Sequence, residues 1–365
     1  MIIYIFIAFI VIICIQFVYY IFIFGSFVWF KNIPPKNYFN QPVSVLICAK
    51  NEAENLKKNI PFFTNQNYPL FELVLINDAS SDNTLKIMRQ FKEEASVSIK
   101  IINIITPKSK KNALAQGIKD ASYEHLLFSD SDCKPLSKNW ITEMASNFNS
   151  QHKIVLGFGS YKKIKKSILN KLIRFETLLT AIQYFSYSKI GIPYMGVGRN
   201  LAYTKSLFYS VNGFAKHLKI KSGDDDLFIN QTAIKKNTTI CYSKDSYTES
   251  SPKTTFKSWI QQKRRHISTA AYYKPLHKFL LAFFYSSQIL FWILGTILLL
   301  NLYKWPIIIF LIFIRFLFLY VIIGFSAKKL NETDLILLIP FYEIFLIFVQ
   351  MFIFIKNLIS KPTHW

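Results

Sequence analysis

The chain opens on an uncharged apolar run, MIIYIFIAFIVIICIQFVYYIFIFGSFVWF (1–30), longer than the roughly 20 residues needed to cross a bilayer. A cleavable signal peptide would show a basic start, a shorter apolar core and a small-residue cleavage site, and these are missing. Three more runs of spanning length close the chain, at 279–300, 305–325 and 334–355. The pattern between them is different. Apolar, β-branched stretches at 43–49 (VSVLICA), 71–78 (FELVLIND), 99–105 (IKIINII) and 125–130 (HLLFSD) alternate with helical spacing from Leu56 onward, over 84–95 and over 111–121. Alternating units of this length predict an α/β domain with a mostly parallel sheet and with ligand residues at the carboxyl ends of its strands. Ile164, Ile168, Leu172 and Phe175 recur at spacings of three and four within the basic segment 160–189. That helix suits either a membrane interface or packing on the protein surface. The expected organisation is a membrane helix over 1–30, an α/β domain with interfacial helices over 31–278, and membrane helices over 279–365.

Charge sharpens this division. Of 44 Lys+Arg and 21 Asp+Glu, residues 31–278 hold 38 basic and 18 acidic side chains, a net of +20. Such an excess beside membrane spans predicts a cytoplasmic domain facing anionic headgroups. The lysines are dispersed and no nucleic-acid module signature is present, so a nucleic-acid partner is not expected. Cys14, Cys48, Cys133 and Cys241 have no paired spacing, which indicates neither a disulfide framework nor a zinc site. Within the last spans, Arg315 and Glu343 are intramembrane charges, and each invites a functional question. They are too few to form a transport pathway.

The polar residues of the middle domain gather at the predicted strand ends. Asn51 and Glu52 follow the first, Asp78 ends the second, and Asp130 and Asp132 follow the fourth. A lone aspartate there is an ordinary cap or turn residue, but their recurrence at successive strand ends predicts one common edge. A D-x-D pair offers hard oxygen ligands for Mg²⁺ or Mn²⁺ and leaves positions for phosphate oxygens. A phosphohydrolase also begins D-x-D, but the following Cys133-Lys134 breaks its D-x-D-x-T pattern. Asp224, Asp225 and Asp226 repel one another, so one of them should be raised in pKa or neutralised by a cation. A carboxylate beside an acceptor hydroxyl is a suitable general base. QQKRRH (261–266) supplies cations for a diphosphate or, alternatively, for lipid headgroups.

Together these motifs resemble family 2 glycosyltransferases of the GT-A fold, especially the bacterial membrane enzymes related to cellulose and poly-N-acetylglucosamine synthases. CAKNEAENL resembles the nucleotide loop and NDASSDNT the N-D-x-S-x-D-x-T element, which implies donor contacts from Ala49, Asn51, Glu52 and Asp78. KKNALAQGI resembles K-x-x-A-L-x-x-G and implies Lys110. SDSDCKP followed by Trp140 resembles D-x-D-C-x-P…W, which implies Asp130 at the sugar diphosphate and Asp132, with Asp130, at the metal. GVGRNLAY resembles an acceptor-side element and implies Gly198, Arg199 and Asn200. GDDDLF resembles E-D-x-D-L, which implies Asp224 as base with Asp225 and Asp226 on the acceptor side. QKRRH resembles Q-x-x-R-W and implies Gln262 and Arg265 at the donor and His266 toward the acceptor.

The expected activity is inverting, Mg²⁺- or Mn²⁺-dependent transfer from a nucleotide sugar, a UDP-sugar first, to a lipid-linked saccharide or glycolipid at the cytoplasmic face of a bacterial-type inner membrane. His266 and Gly223 depart from the processive synthases, where Trp and Glu stand. Processive polysaccharide synthesis is the alternative, and a non-catalytic nucleotide-sugar-binding scaffold is a third reading. Topology raises one question. With the middle domain inside, four spans put the tail with Lys356 and Lys361 outside, unless the last segment, interrupted by Pro340 and Glu343, does not cross.

Overall fold

A computed structural model describes residues 1–31, 39–106 and 109–360. Most of the linker 31–42 and Lys361 in the tail therefore lie outside the described residues. Among the described residues the chain forms two compact units, one within 32–166 and 191–254, the other within 1–31, 167–190 and 255–364. Segments 167–190 and 255–278, which the sequence reading grouped with the middle domain, are thus part of the helical unit.

In the α/β unit, strands β1 (Val43–Ala49), β2 (Phe71–Asp78), β3 (Ser98–Ile104) and β4 (His125–Asp130) alternate with helices α1 (Ala53–Thr64), α2 (Thr84–Glu94) and α3 (Lys110–Asp120). After β4 come β5 (Cys133–Pro135), α4 (Trp140–Ala145), β6 (Ile154–Leu156), β7 (Gly159–Tyr161) and β8 (Leu201–Thr204). A short helix (Lys205–Ser210) follows β8, and helix α5 (Asp226–Thr232), β9 (Thr238–Ile240) and β10 (Thr248–Ser250) come after it. The main sheet has the order β3-β2-β1-β4-β8-β6-β9, and β5, β10 and β7 form a second sheet. β1 pairs in parallel with β2 and β4, whereas β8 runs antiparallel to β4 and β6. β2 is buried along its whole length, as expected for a strand covered on both faces.

Register sets the polar edge. Ala49 lies opposite Asn77, and Cys48 opposite Asp130, so the ends of β2, β1 and β4 emerge side by side. α3 returns across these strands with Leu114, Gly117 and Ile118 turned inward. A Cβ at Gly117 would stand 2.2 Å from Ile76 Cδ1 and 2.7 Å from its Cγ1. Gly117→Ala is therefore expected to destabilise the domain by about 1–3 kcal/mol through overpacking, even though alanine favours a helix by up to about 1 kcal/mol. A lowered thermal midpoint of the purified protein in detergent checks this; an unchanged or raised midpoint would show that Ile76 gives way.

In the helical unit, four helices among the described residues are long and apolar enough to cross a membrane: Ile2–Trp29, Pro275–Leu300, Trp305–Lys329 and Thr333–Ile359. Pro340 falls at the start of the α-helical stretch Ile339–Ile359, where its missing N–H leaves no bond unmade. It marks the change from the 3-10 stretch Thr333–Leu338 to α-helix inside the last span and leaves the α-helical part unbroken. Arg315 and Glu343 are partners: Arg315 Nη1 donates to Glu343 Oε2 at 2.7 Å, and its Nε donates to Gln16 Oε1 at 2.8 Å. Gln288 Nε2 also donates to Glu343 Oε1, at 3.2 Å. Two charges that would be prohibitive singly in hydrocarbon are thereby paired and hydrogen-bonded. The helix Ile168–Lys189 is buried around most of its circumference, and the Arg174 guanidinium is bound by Glu332 and Asp334.

Candidate active site

Two loops build the first wall. Asn51 adopts φ 57°, a left-handed conformation that asparagine tolerates. Its Oδ1 accepts from the Ser81 N–H at 2.8 Å, and its own N–H donates to Ser80 Oγ at 3.0 Å. The Glu52 N–H donates to Thr84 Oγ1 at 2.8 Å, and the Ala53 N–H to Asp82 Oδ2 at 3.2 Å. Ser80, Asp82 and Thr84 of NDASSDNT thus stitch the β2–α2 loop to the β1–α1 turn. Sequence reading singled out Asp78 alone in that element. Asp78 is buried, and among the described residues its Oδ1 has no hydrogen-bond partner. A buried acceptor left open at a strand end requires a donor from a ligand or water.

The second wall is charged. Lys110, the first residue of α3, extends its ammonium to Asp130 Oδ1 at 3.1 Å and to Asp224 Oδ2 at 2.9 Å. Three residues widely spaced in sequence thereby meet. Burial opposes the Lys110 charge, but Asp130 and Asp224 hold it well above the usual lysine range. Burial likewise opposes ionisation of Asp224, and Lys110 outweighs it, keeping the carboxylate below its usual range. Asp225 behaves differently. Burial and the charges of Asp224 and Asp226 push it up to about 7, although its Oδ2 accepts from the Gly198 N–H and its Oδ1 from the Asp226 N–H, each at 2.7 Å. Asp226 Oδ1 accepts from the Leu227 N–H at 2.7 Å. The triplet is divided by bonding: Asp225 and Asp226 bind the backbone at the start of α5, while Asp224 faces Lys110.

Lys110, Asp130, Gly198, Asp224 and Asp225 line a cavity of about 20 Å³ together with Cys48, room for about one water. Sequence reasoning missed Cys48 and Tyr203, the latter a lining residue whose buried hydroxyl has no partner among the described residues. Alternation along β8 was the available signal for Tyr203. Arg199 donates to Ser160 O at 3.3 Å and Ser250 Oγ at 3.1 Å, and stacks 4.3 Å from the Tyr161 ring. Asn200 is fully buried: its Oδ1 accepts from Trp140 Nε1 at 3.1 Å, and its Nδ2 donates to Phe158 O and Ser246 O. Its amide holds β8 to the neighbouring loops. Gln262, Arg265 and His266 are on the helix Phe256–Ser268 of the helical unit.

Residues 44–209 match the profile of glycosyl transferase family 2, and residues 127–326, more than half the chain, match that of glycosyl transferase family group 2. The chain belongs to this glycosyltransferase family. Among curated relatives, a poly-beta-1,6-N-acetyl-D-glucosamine synthase of Staphylococcus epidermidis is 32% identical over 135 residues, 37% of this chain and 32% of that protein. A synthase of the same name from Staphylococcus aureus (strain COL) is 29% identical over 144 residues, 39% of this chain and 34% of that protein. The match thus spans about a third of the length of these relatives. Among solved structures, a mannosyltransferase from Pyrobaculum calidifontis in complex with GDP-Man and Mn²⁺ aligns with TM-score 0.57 at 18% identity, over 91% of this chain and 99% of that one. That likeness is one of fold, and the α/β unit of this glycosyltransferase is of the GT-A type.

The donor set at the D-x-D turn fits a hard divalent ion. Asp130, Asp132 and Cys133 can each present a ligand atom within 4.8 Å of the others. Burial and the Asp132 and Asp130 charges push the Cys133 thiol well above its usual range, and its Sγ donates to Asp132 Oδ1 at 3.3 Å. A thiol is a soft ligand and this one is engaged with Asp132, so the two carboxylates are the donors suited to a hard ion. Burial and the Asp130 charge raise Asp132, a repulsion that a cation at this turn would relieve.

Proposed function

We propose that the chain transfers a sugar from a nucleotide sugar, a UDP-sugar first, to an acceptor hydroxyl with inversion at the anomeric carbon. The observation that carries this reading is the Lys110 ammonium between Asp130 and Asp224. A cation that can turn to a diphosphate then stands beside a carboxylate that can accept a proton. Without substrate, Lys110 pairs with Asp224 and keeps it a weak base. A diphosphate drawn to Lys110 loosens that pair, and Asp224 becomes the stronger base as the donor seats. Asp224 then removes the acceptor hydroxyl's proton while the oxygen attacks the face of the sugar opposite the diphosphate. Asp78 and the Asn51–Glu52 turn hold the nucleotide. Asp130 and Asp132 would hold Mg²⁺ or Mn²⁺, which when bound offsets the leaving diphosphate's charge. The family resemblance assigns Gln262 and Arg265 a donor role and His266 an acceptor role on the helix Phe256–Ser268; within the α/β unit, Gly198 serves the acceptor.

The four apolar helices support an acceptor in a membrane, a lipid-linked saccharide or glycolipid, with the α/β unit on the cytoplasmic face of an inner membrane. The named activity of the staphylococcal relatives supports a second reading, a growing N-acetylglucosamine polymer.

Membranes containing the protein, incubated with a panel of nucleotide sugars, are expected to release nucleoside diphosphate from one donor and to label an extractable lipid. A donor-limited reaction then separates the two acceptors, because single addition leaves one or a few sugars whereas a processive enzyme yields long chains. Failure of every donor to release nucleotide would leave the binding scaffold as the surviving reading.

A further inference from the structure

Lys111, beside the family lysine, is nearly inaccessible, with only 1% of its surface exposed. Its Nζ donates to three backbone carbonyls: His217 O at 2.7 Å, Ile220 O at 2.9 Å and Ser222 O at 2.7 Å. An ammonium has three N–H donors, so its bonding capacity is filled by one loop. That loop ends at Gly223, whose φ of +92° turns the chain into Asp224. Consecutive helical residues point about 100° apart, so one turn of α3 holds this segment at two places: Lys110 binds the Asp224 carboxylate, and Lys111 binds the backbone leading to it.

Local preference does not explain this choice. Two lysines at a helix N-terminus oppose the helix dipole, and burying a charged amine is unfavourable unless it is fully bonded. Burial draws the Lys111 pKa down, with the charges of Asp224, Asp226 and Asp225 acting against it. Sequence features that run against local rules concentrate where function needs them.

We infer that Lys111 is a positioning residue: its three carbonyl bonds fix the 217–222 loop and thereby the placement of the Asp224 carboxylate. This rests on the reading of Asp224 as the base. Lys219 and Lys221 of the loop, and Lys216 directly before it, are exposed and give trypsin a direct report on its order.

The test compares Lys111→Met, which keeps the side chain's length without its donors, with Lys111→Arg, which keeps the charge in a planar fork unsuited to three converging carbonyls. Both are expected to lower kcat by roughly 10- to 100-fold, the scale of a misplacement near 1 Å, with the donor KM within about twofold of wild type. Tryptic cleavage after Lys216, Lys219 and Lys221 should accelerate in both variants, while cleavage elsewhere keeps its wild-type rate. Wild-type kcat and loop protection in Lys111→Met would overturn the inference. So would a loss confined to donor KM, or protease sensitivity that rises uniformly along the chain. Full activity in Lys111→Arg would assign the effect to charge and overturn the role of the carbonyl tripod. Should Lys111→Met not accumulate in membranes, Lys111→Arg carries the comparison. If the wild-type protein transfers no sugar, the functional reading fails, and the loop-cleavage comparison still decides whether Lys111 holds the loop.

Discussion

Asp224→Asn lowers kcat by about 10²–10⁴-fold, the contribution of a general base, and leaves nucleotide-sugar affinity nearly unchanged. The substitution preserves shape and removes the proton-accepting oxygen that faces Lys110 at 2.9 Å. Loss of that ion pair leaves Lys110 with Asp130 as its carboxylate partner, so the cation stays in the site and donor binding is not expected to suffer. Asp225→Asn provides the contrast. Asp225 accepts backbone N–H bonds on both oxygens, from Gly198 and from Asp226; asparagine has one acceptor oxygen and can keep only one of them, so this variant should lose some thermal stability yet keep far more of its kcat than Asp224→Asn. Steady-state kinetics with nucleotide binding measured separately checks both variants. Full activity in Asp224→Asn together with collapse in Asp225→Asn would move the base one residue along the triplet.

Asp132→Ala is expected to lose more than about 100-fold in turnover, beyond the 10–100-fold typical of a residue that merely supports a metal ligand, while the protein remains folded and membrane-inserted. Asp132 lies on the turn between β4 and β5, outside the hydrophobic core cluster built on Val43, Leu73, Leu127 and Trp140. Its removal takes away one of the two carboxylates at the D-x-D turn and leaves the sheet intact. Exhaustive chelation of the wild-type enzyme should produce the same loss, reversed by Mg²⁺ or Mn²⁺. The metal reading does not survive if chelated enzyme and Asp132→Ala both retain wild-type rates.

The parts of this protein that follow from local pattern were legible before any coordinates. β1, β2 and β4 occupy 43–49, 71–78 and 125–130 as their runs of apolar, β-branched residues predict, and β3 begins one residue earlier than expected, where Ser98 pairs with Glu72. The four long apolar helices follow from composition and length, and the aspartates at strand ends follow from a spacing that any parallel α/β sheet converts into one edge. These features depend on neighbours a few residues apart.

Other features depend on partners far apart in sequence, and only tertiary structure decided them. Arg315 and Glu343, two isolated charges when read along the chain, form one buried network with Gln16, 299 positions from Arg315. Asn200 reads as part of an acceptor motif, yet its amide is bound to Trp140, Phe158 and Ser246. The acidic triplet could be sorted into one carboxylate facing Lys110 and two bound to backbone only once the Gly198 loop and α3 were in position. Lys111 shares an inward stripe with Leu114 and Ile118, a faint sequence signal. Its three acceptors lie more than a hundred residues away, on a loop with no periodicity to announce it. The amino-acid sequence by itself determined which elements form and which chemical groups reach the sheet edge, because both are set by short-range periodicity. The fold alone decided which groups are neutralised, which are held by backbone and which remain open to react, because each of these depends on a partner supplied by another element.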